Sequence, residues 1–254
     1  GATAATANFN NLNAAQTADV AFSNGVLKAT IGLNSAGTAG SSAAALTVAG
    51  TALTELTIAS KTATNKLEIN ALTASVTTLK ITGDADFALD DAANTVGAGV
   101  LSNIDTLDAS GASGDLSFQF DPSQVTVTML GSGNDTVTPT TDFGSGKLDG
   151  GQGGDTLVLN DVSVTGGTIT DIETVNLTAT TDQSIDYASF DQGPWHTDFN
   201  NTVGGFYADN AGIRAALEAN GMTRTPYPED EVVTIEETIR SEEHTSELQS
   251  PCNL

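Results

Sequence analysis

Cysteine is almost absent from this chain of 254 residues; the single Cys252 excludes an intramolecular disulfide framework. Basic residues are also few. Eight Lys and Arg stand against 32 Asp and Glu, a net charge of −24, which argues against nucleic acid and anionic membrane as partners. The same balance suits a solvated surface that attracts cations. No window holds eighteen consecutive apolar residues, so no membrane-spanning helix is expected. The start, Gly-Ala-Thr-Ala-Ala-Thr-Ala, lacks Met, a basic region and an apolar core, so it does not read as a signal peptide. Beginning at Gly implies an excised or incomplete chain. Catalytic patterns are missing too. There is no zinc-ligand spacing and no G-x-S-x-G elbow. His196, with Asp198 two residues on, has no nucleophile or second ligand beside it in sequence. No enzyme is expected.

What is present is a period of short apolar pieces. Leu46-Thr-Val48, Leu56-Thr-Ile58, Leu67-Glu-Ile69, Leu79-Lys-Ile81, Phe87-Ala-Leu89, Leu107-Asp-Ala109, Leu116-Ser-Phe118, Val125-Thr-Val127, Leu157-Val-Leu159 and Val175-Asn-Leu177 recur with turn residues between them. Each alternates apolar and polar, so each reads as a strand with its apolar residues inward. Regular short strands fit a sandwich or a solenoid. A sandwich core usually needs longer strands and more large aromatics than the 5% found here. Two or three inward residues per piece suit a coil whose rungs bury their faces on one another. The expected fold is therefore all-β, a β-solenoid of parallel β-helix or β-roll type over residues 46–186, with a β-sandwich as the alternative.

Two near-copies of one pattern lie inside it. Leu130-Gly131-Ser132-Gly133-Asn134-Asp135-Thr136-Val137-Thr138 and Gly150-Gly151-Gln152-Gly153-Gly154-Asp155-Thr156-Leu157-Val158 both read x-G-x-G-x-D-T-apolar-x. Glycines let the chain enter tight turns where carbonyls converge, and the aspartate adds a charged oxygen. Ca²⁺ takes six to eight oxygens, so one turn cannot supply them all and two must stack. A rung of about eighteen residues would set the two turns on one side, one rung apart. The expected metal residues are Gly131, Gly133, Asp135, Gly151, Gly153 and Asp155, holding one Ca²⁺ with a Kd on the order of 10⁻⁴ to 10⁻³ M. Phe143 to Leu148 would be a degenerate turn on the opposite side. The same residues also describe a glycine-rich turn pair that binds nothing. Gly144-Ser145-Gly146-Lys147 lacks the upstream Gly of a phosphate loop, and Leu148 stands where Ser or Thr would hold Mg²⁺. Asp84, Asp86, Asp90 and Asp91 fail EF-hand spacing and read as turn charges.

These two turns, with Leu101-Ser-Asn-Ile-Asp-Thr-Leu-Asp-Ala-Ser-Gly111 and Ile172-Glu-Thr-Val-Asn-Leu-Thr178, resemble bacterial surface-layer (S-layer) proteins and related RTX adhesins over residues 46–180. The resemblance implies a calcium-stabilised β-solenoid outside the bacterial cell, exported by type I secretion. It would self-associate in a surface lattice or contact cell-surface glycans. It also implies a C-terminal secretion signal, which is not found; two calcium turns are few for such proteins, so the chain reads as a fragment. The alternatives are a noncatalytic RTX fragment of a larger secreted protease or lipase, and a calcium-free sandwich adhesin.

The rest divides by composition. Residues 1–45 are low-complexity Ala/Thr/Asn/Ser/Gly and read as a cap or linker. Residues 1–186 contain no Trp, Tyr, Arg, His or Cys, and all appear after that point. Residues 187–239 are therefore a different module or a chimeric segment, with one short helix at Ala211–Asn220 stopped by Gly221. Residues 240–254, RSEEHTSELQSPCNL, read as translated sequencing adapter, which removes His244 and Cys252 from functional consideration.

Overall fold

The computed structural model describes residues 3–13, 16–37, 43–90, 94–178, 184 and 189–190, and the backbone of 198–201. In chain order the strands are β1 (Ala4–Asn10), β2 (Thr17–Ala21), β3 (Lys28–Asn34), β4 (Ala44–Ala49), β5 (Glu55–Lys61), β6 (Asn65–Leu72), β7 (Thr78–Gly83), β8 (Phe87–Leu89) and β9 (Thr95–Val96). They continue as β10 (Thr106–Ala112), β11 (Leu116–Phe120), β12 (Val127–Met129), β13 (Thr136–Pro139), β14 (Lys147–Asp149), β15 (Thr156–Asn160), β16 (Thr168–Thr170), β17 (Thr174–Thr178) and β18 (Asp198–Asn201). One sheet runs β1-β3-β5-β7-β10-β12-β14-β16; the other runs β18-β17-β15-β13-β11-β8-β6-β4-β2, with β9 also pairing β11. All the pairings are parallel. A chain that visits two parallel sheets alternately and advances one strand each time is a β-solenoid. Among the described residues no helix is long and apolar enough to cross a membrane.

The alternation in sequence becomes columns in space. Ala29, Leu56, Leu79, Leu107, Thr128, Leu148 and Ile169 stand one above another inside the first sheet. Opposite them, Phe118, Val137, Leu157 and Val175 form a matching stack. Each is buried, and burying a Leu, Val or Phe side chain stabilises by about 1.5–3 kcal/mol. The coil begins earlier than the sequence period suggests. The expected cap or linker at residues 1–45 supplies β1, β2 and β3, paired in register with the rungs that follow. Its small residues, such as Ala5 and Ala7, still face the core, but they carry too little apolar area to register as a pattern. The break expected near 187 is followed by β18, whose backbone extends the second sheet by pairing with β17. The helix at 211–220, His196 and the 240–254 tail lie outside the described residues.

Two local departures are instructive. The ladder at Ile69 is interrupted, and the buried Asn94 fills it: the Ile69 N–H donates to Asn94 Oδ1 at 2.6 Å and Asn94 Nδ2 donates to the Ile69 carbonyl at 2.9 Å. In β12 the alternation is inverted. Val125 is buried in the preceding turn, Val127 and Met129 face outward, and Thr128 enters the leucine column. Its hydroxyl is buried without a hydrogen-bond partner. An unsatisfied buried hydroxyl costs about 1 kcal/mol or more, so Thr128→Val should raise stability by about that amount. Thermal unfolding checks this, and a lower melting temperature would mean that the hydroxyl has a partner.

Candidate functional site

The sequence placed two glycine-aspartate turns on one side, one rung apart, and they are found there. Thr136 pairs with Thr156, so the preceding Asp135 and Asp155 stack directly. Both carboxyl groups turn inward and both residues are fully buried. The degenerate turn at Phe143 lies on the other side, between β13 and β14, where Phe143 bridges Val164.

The column containing the two aspartates explains what each does. Asp135 Oδ1 accepts the Leu116 N–H of the rung below at 2.8 Å, and Oδ2 accepts the Gly131 N–H of its own turn at 3.1 Å. Asp155 Oδ1 likewise accepts the Asp135 N–H at 2.8 Å. Its Oδ2 has no partner. The difference between the two copies has a local cause. Gly151, the counterpart of Gly131, donates its N–H to Asp149 Oδ1 at 3.2 Å instead. Asp149 stands where the first copy has Met129, which offers no such acceptor. Burial is the largest influence on Asp155 and pushes its pKa up to about 7. The Asp135 N–H acts against this, while the charges of Asp135, Glu173 and Asp171 add to it. Asp135 is also raised, chiefly by burial, with the N–H groups of Leu116 and Gly131 opposing.

The glycines have a stacking role that needs no ion. A Cβ at Gly131 would run into the Ala112 carbonyl, one at Gly133 into Gly114, one at Gly151 into the Gly131 carbonyl, and one at Gly153 into the Gly133 carbonyl. Neighbouring turns thus approach backbone to backbone, and at Gly150 the Asp171 carbonyl oxygen and Asp155 Oδ2 both crowd the place of a Cβ. Among the described residues no three His, Cys, Asp or Glu side chains gather as a metal cluster. A cation here would have to draw on those main-chain oxygens. The residues fit one at Asp155, where a charged oxygen lacks a donor. They fit one less well at Asp135, whose two oxygens are already engaged.

Two members of the column were not singled out by sequence. Asn65 is fully buried one register position before Lys66 of β6; its Oδ1 accepts the Ala36 N–H at 2.6 Å. Its Nδ2 donates to Ser60 Oγ at 2.7 Å, the Ala63 carbonyl at 2.7 Å and the Lys61 carbonyl at 3.3 Å. An amide therefore does in that turn what a carboxylate and a cation could do together. Glu173 stands above Asp155, and its Oε2 accepts the Asp155 N–H at 2.6 Å. The signal was available: Asp135-Thr-Val, Asp155-Thr-Leu and Glu173-Thr-Val share one pattern.

Of the other acidic candidates, Asp84 is exposed, and Asp86 and Asp90 make ordinary contacts. Asp86 Oδ1 accepts the Asp115 N–H at 3.0 Å and its Oδ2 accepts the Thr64 hydroxyl at 3.3 Å. Asp90 pairs with Lys66 at 3.6 Å. Lys147, at the end of the phosphate-loop-like segment, pairs with Asp149 at 2.8 Å. Asp91 lies outside the described residues. Comparison with family models, curated protein sequences and solved structures returned no match.

Proposed function

We propose that this chain is a structural, noncatalytic segment of a secreted bacterial surface-layer or adhesive protein, a β-solenoid whose glycine-aspartate turns are clamped by Ca²⁺. The observation that carries the reading is Asp155 Oδ2, a carboxylate oxygen fully buried and without a donor. Burying an ionised carboxylate without compensation is strongly unfavourable. A hard cation supplies that compensation, and main-chain oxygens of stacked turns are the partners such a cation accepts. The surplus of acidic residues, with a net charge of −24, favours cation uptake over the whole surface. Extracellular calcium levels suit a weak site of this kind. The resemblance to S-layer and RTX proteins, on the motifs quoted above, adds type I export and a partner: other copies in a lattice, or surface glycans.

Ion binding to the folded state alone adds RT ln(1 + [Ca²⁺]/Kd) to stability. With a Kd of about 10⁻⁴ to 10⁻³ M, 10 mM Ca²⁺ contributes about 1.4–2.7 kcal/mol. That corresponds to a rise of about 3–10 °C in melting temperature for a domain of this size. Calorimetry with chelator and with Ca²⁺ should show this rise in the wild type and none in Asp155→Ala. An equal rise in the variant would place any calcium elsewhere.

A further inference from the structure

The orphan oxygen of Asp155 does not lie toward the first glycine turn. Oδ1 is the atom that reaches down to Asp135, through its N–H. Oδ2 lies on the upper side, over Gly150: a Cβ built there would stand 2.8 Å from it and would run into the main-chain carbonyl oxygen of Asp171. Two oxygens from successive rungs therefore converge on the space above one α-carbon.

The turn above is built differently from the one below. Asp149 pairs with Thr170, and Thr156 pairs with Thr174, so both turns leave and enter their sheets in the same register. The lower turn spans that gap with Gly150 to Gly154, the upper one with only Asp171 and Ile172. The shorter chain must cut across the corner, which is why Asp171 takes a left-handed backbone (φ 53°) and its carbonyl presses on Gly150. At the end of the short turn the column carries Glu173 instead of Asp. Its extra methylene lets a carboxylate reach down from a retracted backbone, and it does reach Asp155, accepting the N–H at 2.6 Å. None of the ion pairs formed by Lys28, Lys66, Lys80 and Lys147 involves Asp155 or Glu173.

We infer that the cation at Asp155 is completed from the rung above, by the carboxylate of Glu173 and the main-chain carbonyl of Asp171. This makes the glycine-free turn 171–173 half of the site, with Ca²⁺ as the ligand. The inference rests on the calcium reading of Asp155. It adds a ligand that no glycine-aspartate pattern marks, and it places the ion between the last glycine turn and the rung that follows.

Calcium titration calorimetry and thermal melts of the full chain test it, with Ca²⁺ itself as the probe. Glu173→Gln keeps an acceptor for the Asp155 N–H and removes the charge; its calcium affinity should fall at least about tenfold. Glu173→Asp keeps the charge but withdraws it by one methylene, and should also weaken binding about tenfold. It carries the test if the Gln variant does not fold. Glu68→Gln, an outward change on β6, should bind like the wild type. Wild-type affinity in both Glu173 variants would overturn Glu173 as a ligand while leaving the Asp155 reading intact. A wild type that shows neither binding heat nor a calcium-dependent melting shift would overturn that reading itself.

Discussion

Gly153→Ala is expected to destabilise the solenoid by about 3–5 kcal/mol, lowering its melting temperature by about 10 °C. Two costs combine there. The backbone has φ +135°, which L side chains rarely adopt, and the new Cβ would meet the Gly133 carbonyl of the rung below. Relief by side-chain movement is unavailable, because the obstacle is main chain of the stacked turn between β12 and β13. Two other glycines separate these costs. At Gly25, φ is +101° but nothing lies within 4 Å, so Gly25→Ala should cost only the conformational part, about 1 kcal/mol. At Gly144 the nearest atom is the Thr165 hydroxyl at 3.5 Å and φ lies outside the left-handed region, so alanine should be within about 0.5 kcal/mol of neutral. Chemical denaturation of the three variants checks the order. If Gly153→Ala proved no worse than Gly25→Ala, the close approach of the two turns would be refuted.

The second large effect is a pH dependence centred on Asp155. Its pKa rises from the ordinary 3.8 to about 7 in the folded chain, mainly because burial disfavours the charged form. The folded state therefore holds the proton more tightly than the unfolded state does. Below about pH 4 both states are protonated and the group contributes nothing to the pH dependence. Between about 4 and 7 the unfolded chain loses its proton first, so stability falls as pH rises, and above about 7 the full cost of the buried charge remains. In chelator, the wild type should melt lower at pH 8 than at pH 5. General repulsion among the acidic residues acts in the same direction, so the informative comparison is with Asp155→Asn. That variant removes the titrating group and supplies an amide like Asn65, which donates to three oxygens of its own turn. In chelator at pH 8 it should be more stable than the wild type by about 2 kcal/mol, with a shallower pH slope. Calcium should flatten the wild-type slope, because it favours the carboxylate, and should leave Asp155→Asn largely unmoved. Parallel slopes for the two proteins in chelator would show that Asp155 titrates normally.

Much of this architecture could be read from the residues because a solenoid repeats its local rule. Leu56, Leu79, Leu107 and Leu148 each sit between polar neighbours, and each faces the core as that alternation requires. The twenty-residue offset between the turns likewise put Asp135 and Asp155 on one side. Legibility failed where side chains were too small or the rung length changed. Ala5 and Ala7 belong to the first rung, yet alanine contrasts weakly with the threonines around it. Val127 and Met129 look like core residues and face outward, because the chain enters β12 one position out of phase and leaves Thr128 inside. Asn65 and Glu173 share a column with Asp135 and Asp155, but their turns differ in length, and register across unequal turns cannot be counted along a single chain.

The sequence by itself favours a coil over a sandwich: period-two strands, glycine turns and only two or three inward apolar residues per strand suit rungs that bury their faces on one another. It also sets the Asp135 and Asp155 turns on one side, one rung apart. Only the tertiary structure decides how those carboxylates are used. The choice depends on which N–H groups each oxygen meets across rungs: Asp149 diverts one of them, which leaves Asp155 Oδ2 without a donor near the Asp171 carbonyl over Gly150, while Glu173 takes the Asp155 N–H.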